Sequence, residues 1–212
     1  MVEVQTVGSP TVEVSMAPLA LPYVTPADYL AAERKAAQKS EYVNGHVYAM
    51  AGASRVHNLI VGNAFAELRA QLRGRPCEAY VNDMRVKVER TGMYTYPDVV
   101  GLCEEPRFED ENVDTLLNPT VIIEVLSPST ERYDRGEKFA HYRRLESLRE
   151  YILIAQDIRR IDHYRRDGDT WVLTEVSEPD AALVISSISC TLRLSDIYDR
   201  VDFPSAGAVP HP

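Results

Sequence analysis

The segment Thr120 to Thr130 reads TVIIEVLSPST. It sets one carboxylate, Glu124, among Val121, Ile122, Ile123, Val125 and Leu126, just before a Ser-Pro break. A short unbroken apolar run closed by a turn signal is the pattern of a strand covered on both faces. An ionised carboxylate in such a strand costs several kcal/mol unless an opposite charge meets it. Glu124 therefore lies near a mouth of the structure, or a charged group reaches it there.

A second acid completes the pattern. In TYPDVVGLC, Asp98 opens a strand candidate directly after Pro97. Alternation along a strand puts Tyr96, Asp98 and Val100 on one face, and likewise Ile122, Glu124 and Leu126. If the two strands are neighbours, both carboxylates converge on one point. Hard divalent cations such as Mg²⁺ or Mn²⁺ take that arrangement: a few protein oxygens, with the remaining positions left to water and phosphate.

The rest of the chain supplies a frame for these strands. Residues 1–22 are expected to form a flexible arm, 23–203 one domain and 204–212 a tail. Thr25-Pro26-Ala27-Asp28 starts a helix running to about Gln38. Asn44-Gly45 in SEYVNGHVYAM marks a two-residue hairpin, and Ser54 opens a second helix to about Arg73. Strands are expected at 77–81, 84–89, 98–103, 121–126, 151–155, 159–166 and 170–176. Residues 106–119 read as an exposed acidic connection. Asp134-Arg135-Gly136-Glu137 reads as a capping box for a helix to about Leu145. This order implies an α/β or α+β domain with a mixed sheet flanked by helices.

The stretches SEYVNGHVYAMAGAS, VNDMRVKV, YTYPDVVG, NPTVIIEVLSPST and YDRGEKFAHYRRLESLREYIL resemble the Uma-two family of restriction-endonuclease-like proteins, within the PD-(D/E)XK nuclease superfamily. The resemblance spans roughly residues 25–200 and implies a restriction-endonuclease-like core and metal-dependent hydrolysis of phosphodiester bonds, with DNA as the expected partner. It assigns Asp98, Glu124, the Val125 carbonyl and Glu41 to the metal, and Asp98, Glu124, Lys138 and Glu41 to catalysis. The position expected to hold lysine is Leu126, and Lys138 on the following helix is the substitute. His57 is a candidate for phosphate contact or proton transfer. Superfamily nucleases often pair, so a homodimer is expected to be open to this chain.

Each residue also has a plainer reading. Asp98 can be a turn acid, Glu41 a hairpin-flanking surface acid, and Lys138 an i,i+4 partner of Asp134. Arg85 and Lys87 alternate on one strand and are candidates to meet a nucleic-acid backbone, with a solvated face as the alternative. Tyr133 and Tyr142 read as packing residues. The net charge of −9 opposes broad attraction to nucleic acid. Cys77, Cys103 and Cys190 are far apart and suggest neither a disulfide nor a metal pair, which fits a reducing cytoplasm. No apolar run is long enough for a membrane helix. Two alternatives stay open: a non-catalytic binding module on the same fold, and a two-carboxylate glycosidase. The latter lacks aromatic platforms, Trp171 being the only tryptophan.

Overall fold

The computed structural model describes residues 23–203; the expected arm (1–22) and tail (204–212) lie outside the described residues. The first half contains α1 (Pro26–Glu33), β1 (Ser40–Val43), β2 (His46–Ala49), α2 (Arg55–Leu72), β3 (Glu78–Val81), β4 (Arg85–Val88), β5 (Met93–Thr95) and β6 (Val99–Leu102). It continues with β7 (Thr115–Leu116), β8 (Val121–Val125), α3 (Glu131–Tyr133), a π-helical stretch Asp134–Lys138 and α4 (Phe139–Tyr142). The remainder is β9 (Glu150–Ile154), β10 (Ile161–Asp167), β11 (Thr170–Val176), β12 (Ala182–Ile185), β13 (Cys190–Arg193) and α5 (Leu194–Ile197).

Two sheets organise these elements. One runs β11-β10-β9-β8-β6-β3, and the other β2-β1-β5-β4-β7. Strands β8 and β9 lie at the centre of the first, are buried at every position, and pair in parallel. A parallel neighbour cannot be reached by a tight hairpin, so the helical segment 131–142 serves as the crossover. Alternation then sorts the side chains. Val121, Ile123 and Val125 face α2 and the β12–β13 hairpin, whereas Ile122 and Leu126 face Phe139, Tyr142, Tyr151 and Leu153. Glu124 belongs to the second face.

Local chemistry explains the elements that were expected. Ser54 caps α2 by accepting from the His57 N–H, and Ile60, Val61, Ala64, Leu68 and Leu72 form its buried stripe. Asn44 and Gly45 adopt φ of 49° and 85°, the pair of left-handed residues that a tight hairpin demands. The Tyr23 ring lies on Gly45 so closely that any Cβ there would collide with it.

Several expectations are corrected. Helix α1 stops at Glu33 rather than Gln38, because Lys35 and Ala36 donate to three-residue turns instead of continuing the helix. The crossover helix begins after Thr130, where Ser127 takes the Thr130 and Glu131 N–H groups, so Asp134 is buried inside the helix and is not its cap. The 106–119 connection is not a free loop. It contributes β7, with Thr115, Leu116 and Asn118 buried. Three of its four acids are paired: Arg34 meets Asp110 and Asp114, Arg85 meets Asp114 and Lys87 meets Glu109. Cys77 and Cys103 are joined by a disulfide. Antiparallel pairing of Glu78 with Leu102 brings them opposite one another. The spacing of the cysteines therefore lends no support to a reducing compartment. No helix among the described residues is long and apolar enough to cross a membrane.

The disulfide closes a loop across a sequence separation of 26 residues, which restricts the unfolded chain by about 3 kcal/mol. Reduction, or Cys103→Ser, is expected to lower unfolding stability by about 2–4 kcal/mol. Urea titrations with and without reducing agent check this; coincident curves would contradict it.

Candidate active site

The register of β6 and β8 pairs Val99 with Ile123, which places Asp98 across from Glu124. The two acids therefore share one end of the central sheet. The Val125 N–H donates to Asp98 Oδ2 at 2.8 Å and fixes that carboxylate across the strand gap. His57, in the first turn of α2, brings Nε2 to 3.2 Å from the same oxygen. Glu124 is only 4% exposed. Its Oε1 accepts from the Tyr142 hydroxyl at 2.8 Å and lies 2.9 Å from Lys138 Nζ.

The second sheet and the crossover helix complete the cluster. Glu41 projects from β1, accepts from the Thr95 hydroxyl on β5, and stands 3.0 Å from Lys138 Nζ. Asp134 Oδ1 is 3.6 Å from the same ammonium. Asp134, Lys138 and Tyr142 follow at intervals of four along one side of the crossover helix, so their side chains meet. Between the first two the backbone takes a π-helical turn, a form that recurs at functional sites.

Charge in this cluster does not balance. One buried ammonium faces the carboxylates of Glu41, Glu124 and Asp134, with Asp98 close by. Burial raises the Glu124 pKa to about 8; Lys138 opposes the shift, and Asp134 and Asp98 add to it. Asp134 is raised as well, chiefly by burial. Burial works against the Lys138 ammonium, but Glu124, Glu41 and Asp134 outweigh it, so Lys138 keeps its proton. A single ammonium shared among three acids cannot offset the burial of each. For His57 burial lowers the pKa, and the Asp98 carboxylate and the Val125 backbone more than reverse it.

The Uma2 family model, described as "Putative restriction endonuclease", matches residues 26–195. The chain belongs to the Uma2 family. Two similar proteins of Synechocystis sp. are "Uncharacterized protein sll1609" and "Uncharacterized protein slr1290". The first is 39% identical over 164 residues, covering 77% of this chain and 93% of its own. The second is 34% identical over 184 residues, covering 86% and 95%. A crystal structure of "a putative nuclease belonging to DUF820" from Anabaena variabilis shares the fold, with a TM-score of 0.71 at 20% identity. That match covers 84% of this chain and 99% of the other.

The structure brings together five residues singled out in the sequence: Asp98, Glu124, Lys138, Glu41 and His57. It does not bring Arg85 and Lys87 to an open face. Arg85 is 3% exposed and bound to Tyr96, Thr115 and Asp114, because β7 pairs Thr115 with it and Asp114 immediately precedes that strand. Lys87 is held by Glu109. Trp171 packs with Phe139 and Arg166 and offers no sugar platform. Asp134, Tyr142 and Thr95 also join the cluster; the sequence offered Asp134 only as a cap or an i,i+4 partner of Lys138, Tyr142 only as a packing residue, and Thr95 not at all. Only the Asp134–Lys138–Tyr142 spacing could have revealed two of them.

Among the described residues no group of three or more His, Cys, Asp and Glu side chains is arranged to hold a metal ion. Two donors nevertheless suit an ion that keeps most of its water. Among the described residues Asp98 Oδ1 makes no hydrogen bond or ion pair, and Glu124 Oε2 meets only the Asp98 N–H, at 3.4 Å. Two hard oxygens of this kind fit Mg²⁺ or Mn²⁺.

Lys138→Met would strand buried acids without a counter-charge and is expected to lower stability by about 3–5 kcal/mol. Without divalent ions the native state holds more protons at Glu124 than the unfolded chain between about pH 4.5 and 8. Stability therefore falls as pH rises through that window. In Glu124→Gln the decline should flatten. Denaturant titrations in EDTA at several pH values read both effects, and an unchanged slope in the variant would refute the second.

Proposed function

We propose that this Uma2 protein is a metal-dependent endonuclease hydrolysing phosphodiester bonds of DNA. The observation that carries the reading is the cross-strand pair Asp98–Glu124 with Lys138 Nζ at 2.9 Å from Glu124. A lysine on the crossover helix thus reaches the position that Leu126 leaves without an amine.

In this mechanism Asp98 and Glu124 would hold Mg²⁺ or Mn²⁺, which when bound would supply a Lewis acid for the phosphoryl oxygens and lower the pKa of water. Asp98 is the more open of the two acids, so phosphate approaches from the His57 side. Lys138 keeps its proton and therefore acts as a donor rather than a base. It orients the attacking water and offsets charge that develops on the phosphoryl oxygens. Glu41, Thr95 and Tyr142 hold Lys138 and Glu124 in register. His57 steadies Asp98 through Oδ2, and Oδ1 would remain available to an ion.

The test is nicking of supercoiled plasmid with Mg²⁺ or Mn²⁺. Asp98→Ala, Glu124→Ala and Lys138→Ala are each expected to cut the rate by about 10²-fold or more, and EDTA should abolish it. Circular dichroism must show each variant folded. A folded wild type that binds DNA but cuts with neither ion would point instead to the binding module.

A further inference from the structure

We propose that Tyr48 is a stacking platform for an unpaired nucleobase beside the candidate active site. The substrate class is then a nucleic acid whose bases are unpaired next to the scissile phosphate. The inference rests on the nuclease reading and adds to it the part of the substrate that is gripped.

Three observations converge on Tyr48. The first is exposure: the chain has twelve tyrosines, and only Tyr23 and Tyr48 are exposed, at 69% and 55%. The Tyr23 ring is committed to covering Gly45; Tyr48 has no such role. The second is register. Tyr48 pairs directly with Glu41 across the β1–β2 hairpin. Directly opposed residues of an antiparallel pair share a face, with Cβ atoms about 5 Å apart. Glu41 in turn lies 3.0 Å from Lys138 Nζ, so the ring borders the acid cluster on its outer side. Strand β2 is an edge, and all four of its residues are exposed. A ligand can therefore reach the ring without rearrangement.

The third observation is that several cations of the five-stranded sheet and its border are committed to acids. The chain carries a net charge of −9. Arg85 and Lys87 are tied to Asp114 and Glu109. Lys39, just before β1, is tied to Asp83 and the Asn82 carbonyl. These three cations are thus not free to meet phosphate on this side of the site, and the negative net charge opposes broad attraction to nucleic acid. Stacking on an aromatic ring supplies binding that does not depend on charge, but it requires a base free of its partner.

Fluorescence anisotropy tests this, using a single-stranded oligo-dT and a blunt DNA duplex of equal length, with Ca²⁺ in place of Mg²⁺. The wild type should bind the single strand more tightly than the duplex. Tyr48→Ala should weaken the single strand by about 10-fold and leave duplex binding unchanged; Tyr48→Trp should retain it. A 2-aminopurine base in the single strand should be quenched by wild type and not by Tyr48→Ala. Equal affinities of wild type and Tyr48→Ala, or equal losses on both DNAs, would overturn the platform alone. If neither DNA binds and plasmid is not nicked, the nuclease reading falls, and the platform with it.

Discussion

The ammonium of Lys138 is the contact on which the arrangement of this molecule turns. It joins Glu124 of the six-stranded sheet, Glu41 of the five-stranded sheet and Asp134 of its own helix at one buried point. Apolar packing alone could hold the two sheets and the crossover together, with no polar group at the junction. The chain instead buries acids around one cation, an arrangement weaker than a hydrophobic replacement. A junction built at a loss in stability is better explained by what it does than by what it holds.

The acids also differ in access. Glu124 is enclosed, with Tyr142 and Lys138 on one oxygen. Asp98 opens toward the start of α2, with His57 and the Val125 N–H on one oxygen and the other free among the described residues. The pair therefore offers a fixed inner ligand and an outer one that meets solvent. This polarity gives the site a direction of approach, from the α2 N-terminus toward the sheet.

Much of this was legible in the sequence because it depends on local signals. Asn44-Gly45 fixes a hairpin, Ser54 starts a helix, and alternation in VIIEV places Glu124 with Ile122 and Leu126. The adjacency of Asp98 and Glu124 followed from two strand patterns and a family resemblance. What escaped reading depends on pairing between distant segments. Arg85 looked solvent-facing because its neighbour strand, β7, is two residues long inside an acidic stretch with no strand pattern of its own. The Cys77–Cys103 bond needs the β3–β6 register, which leaves no trace in spacing. Asp134 resembled a cap because an acid followed by Glu three positions later fits one. The true start was set by Ser127, the serine of the Ser-Pro break itself.

The π-helical turn between Asp134 and Lys138 carries an evolutionary consequence. Arg135, Gly136 and Glu137 are not buried, so their identities are loosely constrained by packing. Their number is not. Adding or deleting one residue would swing Lys138 by roughly a quarter turn around the helix axis and point the amine away from both sheets. Drift in this stretch should therefore take the form of substitution, with its length held fixed.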